Sequence, residues 1–301
     1  MSVTVSTPGK LMLLGEHAVV YGYPCIVSVV DKYLTVKLKK IDDSSDKLIT
    51  SPITDNSFVK KSLEVFKRKF SIKQGVQLET RSELGTFGLG SSAAVVVSVV
   101  KGLTQLFNLS LTKKELFDTS YEIVLAVQKL ASGFDIAASI WGGTIYFDGK
   151  TKEVVELVQS PLPIIVGFSG TKANTVEMVQ KVKNLKEKKG ELVEEIFRSI
   201  KKLVEQGKRA IIYKNWNELG NIFNENHRLL VKLGVSTVRL DNLISAAINA
   251  GAYGAKLSGA GGGDCMIAVV SDDKKEDVKR SIERVGGKVI DIKVGIGKIE
   301  F

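Results

Sequence analysis

The sequence predicts an α+β protein of two domains, in which strands and helices cluster in each half instead of alternating strictly. The chain has 301 residues, enough for two domains with separate hydrophobic cores. Two closely spaced prolines in the segment 160–163 interrupt the pattern near its middle. We therefore predict an N-terminal domain at residues 1–160 and a C-terminal domain at residues 161–301.

Alternating apolar and polar residues predict the strands of the N-terminal half, and longer apolar faces predict its helices. Pro8-Gly9-Lys10 separates two of the strands, and Gly142-Gly143 breaks the chain before another. Thr112 and Glu115 have the spacing of a capping box. The predicted elements are strands over 3–6, 11–14 and 34–39, a turn over 42–46, a helix over 57–70, a strand over 76–81, helices over 93–107 and 112–130, and a strand over 144–147.

The C-terminal half is richer in helix, because residues 175–233 contain few glycines and no proline. Ser236 or Thr237 is suited to cap the helix that follows. The predicted elements are a strand over 164–168, helical structure over 175–233, a helix over 240–250, strands over 255–258 and 265–270 around a glycine-rich loop, a helix over 274–285 and a strand over 288–294.

The composition is that of a globular protein, with 44% hydrophobic and 25% charged residues. No apolar run approaches the roughly 20 residues that span a bilayer, and the N-terminus lacks the pattern of a signal peptide. We therefore expect a cytoplasmic protein that does not bind a membrane. Cys25 and Cys265 lie in apolar segments and are expected to be buried thiols, with a disulfide left open as the alternative.

The formal net charge of +10 raises the question of nucleic-acid binding. The basic residues cluster at 181–189 and 274–280, where acidic residues are interleaved and aromatic residues are scarce. This pattern is typical of solvated helix surfaces, so no nucleic-acid partner is predicted. The positive balance also suits a polyanionic substrate.

A Gly-Ser turn at residues 87–94, Phe-Gly-Leu-Gly-Ser-Ser-Ala-Ala, runs directly into an apolar segment. Small residues let the backbone approach an anion, and the free N–H groups at a helix start can bind phosphate oxygens. The serine hydroxyls can donate a hydrogen bond or ligate magnesium. By itself the turn is equally consistent with an ordinary helix start.

Two further segments favour a phosphate site over an ordinary helix start. One runs from Pro8-Gly9-Lys10 to Gly15-Glu16-His17-Ala18-Val19-Val20-Tyr21-Gly22, and the other is Lys256-Leu257-Ser258-Gly259-Ala260-Gly261-Gly262-Gly263-Asp264-Cys265. Four glycines in the five residues 259–263 exceed what a turn requires and favour close approach to a ligand. Two glycine-rich loops and a lysine together indicate a phosphate site.

In this order and spacing, the three segments resemble the signature motifs of the GHMP kinases, and the resemblance covers essentially the whole chain. It implies a two-domain fold: an N-terminal half with a mixed sheet and an ATP-binding helix, and a ferredoxin-like C-terminal half. It also implies in-line phosphoryl transfer from ATP, with Mg²⁺ as the accompanying ion. The ATP-binding residues implied are Gly88, Leu89, Gly90, Ser91, Ser92, Ala93 and Ala94.

The same resemblance implies roles for particular side chains. Asp135 matches the catalytic base of mevalonate kinases, although an Asp after Ser-Gly is more often a cap or turn residue. Lys10 would be its partner and would stabilise negative charge in the transition state. Ser92 matches the magnesium-binding serine. The implied substrate-binding residues are Glu16, His17, Ser132, Lys172, Gly259, Ala260 and Gly261.

One departure from the family concerns the metal. Mevalonate kinases usually place a metal-binding Glu eleven residues before the catalytic Asp, where this chain has Val124. Glu122 lies on a different helix face and is expected to be a solvated residue. The second histidine, His227, is expected to be structural.

The acceptor is where the motifs point in two directions. Gly-Glu-His-Ala-Val-Val-Tyr-Gly and the segments 226–235 and 254–259 resemble mevalonate kinases. This resemblance makes mevalonate the favoured acceptor, because the first motif contributes most directly to the acceptor pocket of that family. Phe87, Asp264, the segments 132–138 and 167–175 and the missing Glu resemble phosphomevalonate kinases, with Lys172 as a contact for a second phosphate. A non-catalytic metabolite- or nucleic-acid-binding protein of the same fold stays open, though Lys10, Ser92 and Asp135 together favour a kinase. A homodimer would agree with the family, but the sequence shows no dimer seam.

Overall fold

The computed structural model describes residues 2–51 and 54–299, which form two compact units. The first unit draws on described residues within 1–10, 29–143 and 297–301, and the second on 11–28 and 144–296. The chain therefore crosses from one unit to the other several times. The boundary predicted at residue 160 stays a prediction. No helix among the described residues is long and apolar enough to cross a membrane.

The first unit contains a mixed sheet covered by helices. The elements introduced here are β1 (Ser2–Leu14), β2 (Cys25–Lys40), β3 (Lys47–Ile49), α1 (Asn56–Lys69), β4 (Val76–Ser82), α2 (Ser91–Leu106), α3 (Lys113–Gln128) and α4 (Phe134–Trp141). Residues 34–40 of β2 pair antiparallel with β4, and β3 pairs parallel with β4. Helix α2 is buried along almost its whole length, so it forms the centre of this core.

The second unit contains a four-stranded antiparallel sheet. Its strands lie in the order β10 (Lys288–Ile290), β7 (Ile164–Phe168), β9 (Cys265–Val269) and β8 (Gly254–Ser258). This order and the helices between its strands are those of a ferredoxin-like fold, as predicted. Strand β5 also pairs with residues 25–28 of β2 and with β6. The elements are β5 (Thr144–Phe147), β6 (Val154–Val158), β7 (Ile164–Phe168), α5 (Thr175–Lys188), α6 (Gly190–Ile212), α7 (Trp216–Lys232), α8 (Val238–Asn249), β8 (Gly254–Ser258), β9 (Cys265–Val269), α9 (Lys275–Arg284) and β10 (Lys288–Ile290).

Most predicted elements are confirmed, and the capping signals explain where two helices begin. The Thr112 side chain accepts a hydrogen bond from the Glu115 backbone N–H. In return, the Glu115 carboxylate accepts a hydrogen bond from the Thr112 backbone N–H. Thr237 caps α8, so of the two candidates Ser236 is not the cap. Cys25 and Cys265 are buried thiols and form no disulfide.

The expected interruption at Pro8-Gly9-Lys10 is wrong, because β1 continues through it. Among the described strands β1 pairs with β2 alone, and edge strands tolerate proline. The sequence patterns also missed the short elements β3, β6 and α4, which are too short to show a clear period. Strand β10 ends at Ile290, not at residue 294 as predicted.

Candidate functional site

The Gly-Ser turn of the first unit leads into a helix whose N-terminus is open to a ligand. Gly88 and Gly90 have φ angles of 75° and 80°, which disfavour residues with a side chain. Helix α2 begins at Ser91 and has no side-chain cap. The N–H groups of its first turn therefore remain available to phosphate oxygens.

Lys10 is joined to this turn through both its backbone and its side chain. Its N–H donates to the Leu89 carbonyl over 2.9 Å. Its alkyl stem passes so close to Gly90 that a Cβ there would lie 2.7 Å from the Lys10 Cε. The glycine thus makes room for the lysine beside the start of α2.

Asp135 lies in the first turn of the short helix α4 and is half-buried. Its Oδ1 accepts from the N–H of the next residue, Ile136, over 3.0 Å. The Lys10 Nζ lies over the ring of the preceding residue, Phe134, 5.2 Å from its centre. The first unit therefore brings Lys10, the Gly-Ser turn and the start of α4 together, with Lys10 resting on Phe134 and not in an ion pair with Asp135.

We expect Gly90→Ala to lower kcat/KM for ATP by about tenfold or more, since a misplaced lysine weakens charge stabilisation. The added Cβ would displace the Lys10 side chain and also strain a backbone at φ 80°. Gly234→Ala is the matched control, because Gly234 has φ 74° but its Cβ would meet nothing closer than 3.5 Å. Steady-state kinetics measure kcat/KM for ATP in both variants. Equal values for Gly90→Ala and Gly234→Ala would contradict the expectation.

In the second unit, Glu16 forms an ion pair with Lys256, and both side chains are fully buried. Burial raises the pKa of the Glu16 carboxyl and lowers the pKa of the Lys256 ammonium, and their mutual attraction opposes both shifts. The pair joins the first motif to strand β8, which leads into the glycine-rich segment. This burial indicates a structural role, and a contact between Glu16 and an acceptor stays a prediction.

His17 makes a second link between the same two motifs. Its Nε2 lies 2.9 Å from the carbonyl oxygen of Ala260, which assigns Nε2–H as the donor. His17 is 6% exposed, and its backbone φ of 60° is unusual for a non-glycine residue. Burial lowers the pKa of the imidazole despite this hydrogen bond. A neutral His17 therefore fixes the position of the Ala260 turn.

A pH dependence of stability follows from His17. Because its folded-state pKa lies below the ordinary 6.5, its contribution is fully present above pH 6.5 and is lost as the pH falls. We expect the unfolding free energy of the wild type to fall more steeply between about pH 6.5 and 5 than that of His17→Gln. The difference in slope has an upper limit of about 1.4 kcal/mol per pH unit.

Urea unfolding at several pH values measures the two slopes. His227→Gln provides a comparison, since burial lowers the pKa of His227 as well. Parallel curves for the wild type and His17→Gln would contradict the assignment.

The glycines of the third motif differ in what surrounds them. A Cβ on Gly261 would lie 2.1 Å from the Val235 carbonyl oxygen, and the Gly262 N–H donates to that same oxygen. Gly259, in contrast, has φ 95° and open space around its Cβ position. One side of the turn is therefore anchored to the segment between α7 and α8, while Gly259 faces space that a ligand can enter.

The remaining predicted residues lie in both units. Ser132 belongs to the first unit and is half-buried just before α4. Lys172 belongs to the second and is exposed in the segment between β7 and α5. His227 lies 3.1 Å from the Asp241 carboxylate, in keeping with a structural residue.

Comparison with known proteins identifies the family of this chain. Residues 57–143 match the model of the GHMP kinases N terminal domain, and residues 199–288 match that of the GHMP kinases C terminal domain. The chain belongs to the GHMP kinase family. Among its relatives, the mevalonate kinase of Pyrococcus abyssi is 36% identical, with 95% of this chain and 93% of that protein covered. That of Saccharolobus solfataricus is 32% identical, with 90% and 91% covered.

Solved structures share the fold of this GHMP kinase over its whole length. The Lin0012 protein of Listeria innocua gives a TM-score of 0.89 at 25% identity and covers 100% of this chain and 99% of its own. The L. major mevalonate kinase in complex with R-mevalonate gives 0.84 at 22% identity, with 98% and 97% covered. The Streptococcus pneumoniae phosphomevalonate kinase gives 0.82 at 21%, with 98% and 99% covered, so fold similarity alone does not separate the two acceptors.

A magnesium ion that arrives with ATP stays a prediction for this kinase. Among the described residues, no three His, Cys, Asp or Glu side chains cluster as a metal site. Val124 is 4% exposed in the core, and Glu122 is at the surface beside Arg68 and Lys69. The Ser92 hydroxyl, on the first turn of α2, is the remaining predicted ligand. With Ser92 as its ligand from the protein, the remaining positions around Mg²⁺ would be filled by waters and ATP phosphate oxygens, which Mg²⁺ usually keeps in its shell.

Two residues with clear contacts were given no role by sequence reasoning. Lys256 is buried opposite Glu16, and Phe134 lies under the Lys10 ammonium. A lysine inside the apolar run Ala255–Leu257 was a usable signal, because a buried charge needs a partner. Phe134 gave no comparable signal, since an aromatic residue at a helix start is ordinarily part of the core.

Proposed function

We propose that this GHMP kinase transfers the γ-phosphoryl group of ATP to mevalonate, forming 5-phosphomevalonate in isoprenoid biosynthesis. The observation that carries the choice of acceptor is the similarity to archaeal mevalonate kinases along 95% of the chain. The first motif, with Glu16 and His17, supports the same choice, because it resembles that of mevalonate kinases.

The first unit supplies the groups suited to the phosphoryl donor. The uncapped N-terminus of α2 offers backbone N–H groups to the ATP phosphates. Lys10, joined to Leu89 of the turn, carries the positive charge that stabilises a transferring phosphoryl group. Magnesium bound with ATP, with Ser92 as a ligand, would neutralise further phosphate charge.

Asp135 is proposed as the base that accepts the proton of the acceptor hydroxyl. One of its oxygens bonds the Ile136 N–H, which holds the carboxylate at the start of α4. The other can accept from a hydroxyl group. Transfer is then direct, from ATP to the alcohol, with no covalent enzyme intermediate.

Phosphomevalonate is the second candidate acceptor, and Lys172 is the observation that favours it. This exposed lysine could pair with an added phosphate. The remaining alternative, a protein that binds metabolites or nucleic acid without phosphoryl transfer, has weaker support because Lys10 and Asp135 are both present. A homodimer stays a prediction.

A coupled ADP-release assay with ATP and Mg²⁺ tests the proposal by comparing mevalonate with 5-phosphomevalonate. We expect a clearly higher kcat/KM for mevalonate. A preference for the phosphorylated acceptor would replace the proposal by its alternative. Retention on heparin with no turnover of either compound would indicate a binding protein.

A further inference from the structure

Two segments of the second unit meet at one end of its antiparallel sheet. We call residues 169–174, between β7 and α5, the Lys172 loop, and residues 259–264, between β8 and β9, the glycine turn. Phe168 at the end of β7 pairs in register with Cys265 at the start of β9. The Lys172 loop therefore begins directly beside Asp264, the last residue of the glycine turn.

Asp264 forms hydrogen bonds with the backbone of every second residue of the Lys172 loop. Its carbonyl accepts from the Ser169 N–H over 2.8 Å, and its own N–H donates to the Thr171 carbonyl over 2.8 Å. Its side-chain Oδ1 accepts from the Ala173 N–H over 3.0 Å. One residue of the glycine turn thus holds the backbone on both sides of Lys172.

The backbone around Asp264 is shaped for this contact. Asp264 has φ 55°, in the left-handed region where Asp and Asn are the most tolerated residues after glycine. A Cβ on the neighbouring Gly263 would lie 2.6 Å from the Thr171 carbonyl oxygen and 3.1 Å from the Ala173 nitrogen. A side chain at Gly263 would therefore push the Lys172 loop away.

The first residue of the Lys172 loop is held from the other side as well. Arg239 Nε donates to the Ser169 carbonyl over 3.0 Å, and the Ser169 hydroxyl donates to the Thr171 carbonyl over 3.1 Å. Ser169 is buried, whereas Lys172 is exposed. A fixed backbone thus carries an exposed cationic side chain, two residues before Asn174, the N-cap of α5.

We propose that Asp264 is a positioning residue for acceptor binding, which holds the Lys172 loop so that the Lys172 ammonium meets the anionic end of the acceptor. The inference rests on the proposed function, because both candidate acceptors carry a carboxylate and one also carries a phosphate. Asp264 acts through Lys172 and does not touch the acceptor.

The test is a double-mutant cycle with steady-state kinetics on Asp264→Ala, Lys172→Ala and the double variant. Each single variant is expected to raise the KM for the acceptor by about tenfold, with little change in the KM for ATP. The KM of the double variant for the acceptor is expected to be no higher than that of the more impaired single variant, since both changes remove the same contact.

Asp264→Asn is the conservative variant, because it retains an oxygen at Oδ1 and tolerates the left-handed backbone. It is expected to restore most of the acceptor affinity that Asp264→Ala loses. Asp272→Ala is the matched control, since it removes a carboxylate that is 92% exposed on the same unit. Amide exchange of Ala173 should rise in Asp264→Ala and stay unchanged in the control.

The inference is overturned if the two single effects multiply, or if Asp264→Ala lowers stability while the acceptor KM is unchanged. The outcome for the proposed function is separate. An enzyme that prefers phosphomevalonate refutes the mevalonate assignment, and the same cycle measured on that acceptor still decides the role of Asp264. An enzyme that turns over neither acceptor refutes both.

Discussion

Replacing Asp135 by asparagine is expected to lower kcat by about 10²–10⁴-fold, the usual effect of removing a general base. Asparagine has nearly the same shape, and its side-chain oxygen can still accept from the Ile136 N–H that Asp135 bonds. Because Asp135 is half-buried and makes no ion pair with Lys10, we expect little change in stability or in the KM for ATP.

ADP release under saturating ATP and acceptor measures this effect, and thermal unfolding shows whether the fold is intact. Asp118→Asn is the matched control, since Asp118 lies on the surface of α3 in an ion pair with Lys114. Undiminished turnover by Asp135→Asn would remove Asp135 from the catalytic role.

Replacing Lys256 by methionine is expected to destabilise the fold by about 3–5 kcal/mol, because it leaves the fully buried Glu16 carboxylate without its partner. The ordinary pKa of a glutamate is 4.5, and burial raises that of Glu16. Without the lysine this rise becomes larger, so the folded variant must bind a proton. The contribution of Glu16 to the stability of the variant is then most favourable below about pH 4.5 and is lost as the pH rises.

Urea unfolding at pH 5 and pH 8 tests both parts of this prediction, and the deficit relative to the wild type should be larger at pH 8. Lys275→Met is the control, because Lys275 and Asp272 form an exposed pair, which contributes at most about 1 kcal/mol. A double variant with Glu16→Leu and Lys256→Met should regain much of the stability. A decrease of less than about 1 kcal/mol in the free energy of unfolding of Lys256→Met would contradict the prediction that the Glu16–Lys256 ion pair stabilises the fold.

Long elements were predictable because their apolar periodicity repeats over several turns. Helix α1, strand β4 and the capping box of α3 lie within one or two residues of their expected limits. The missed helix α4 has eight residues, and its polar residues and glycine neighbours conceal its period. Its position matters, because Asp135 lies in its first turn.

The sequence by itself determined the family, because three short motifs and their order can be recognised without knowing the tertiary structure. It also indicated a phosphate-binding turn, a nearby lysine and a candidate base. Only the tertiary structure decided which side chains pair. Glu16 bonds a lysine 240 residues away, and Asp264 bonds a loop residue 91 positions away. Such partners leave no periodic pattern in the sequence, because they are chosen when burial makes an unpaired charge or backbone N–H costly.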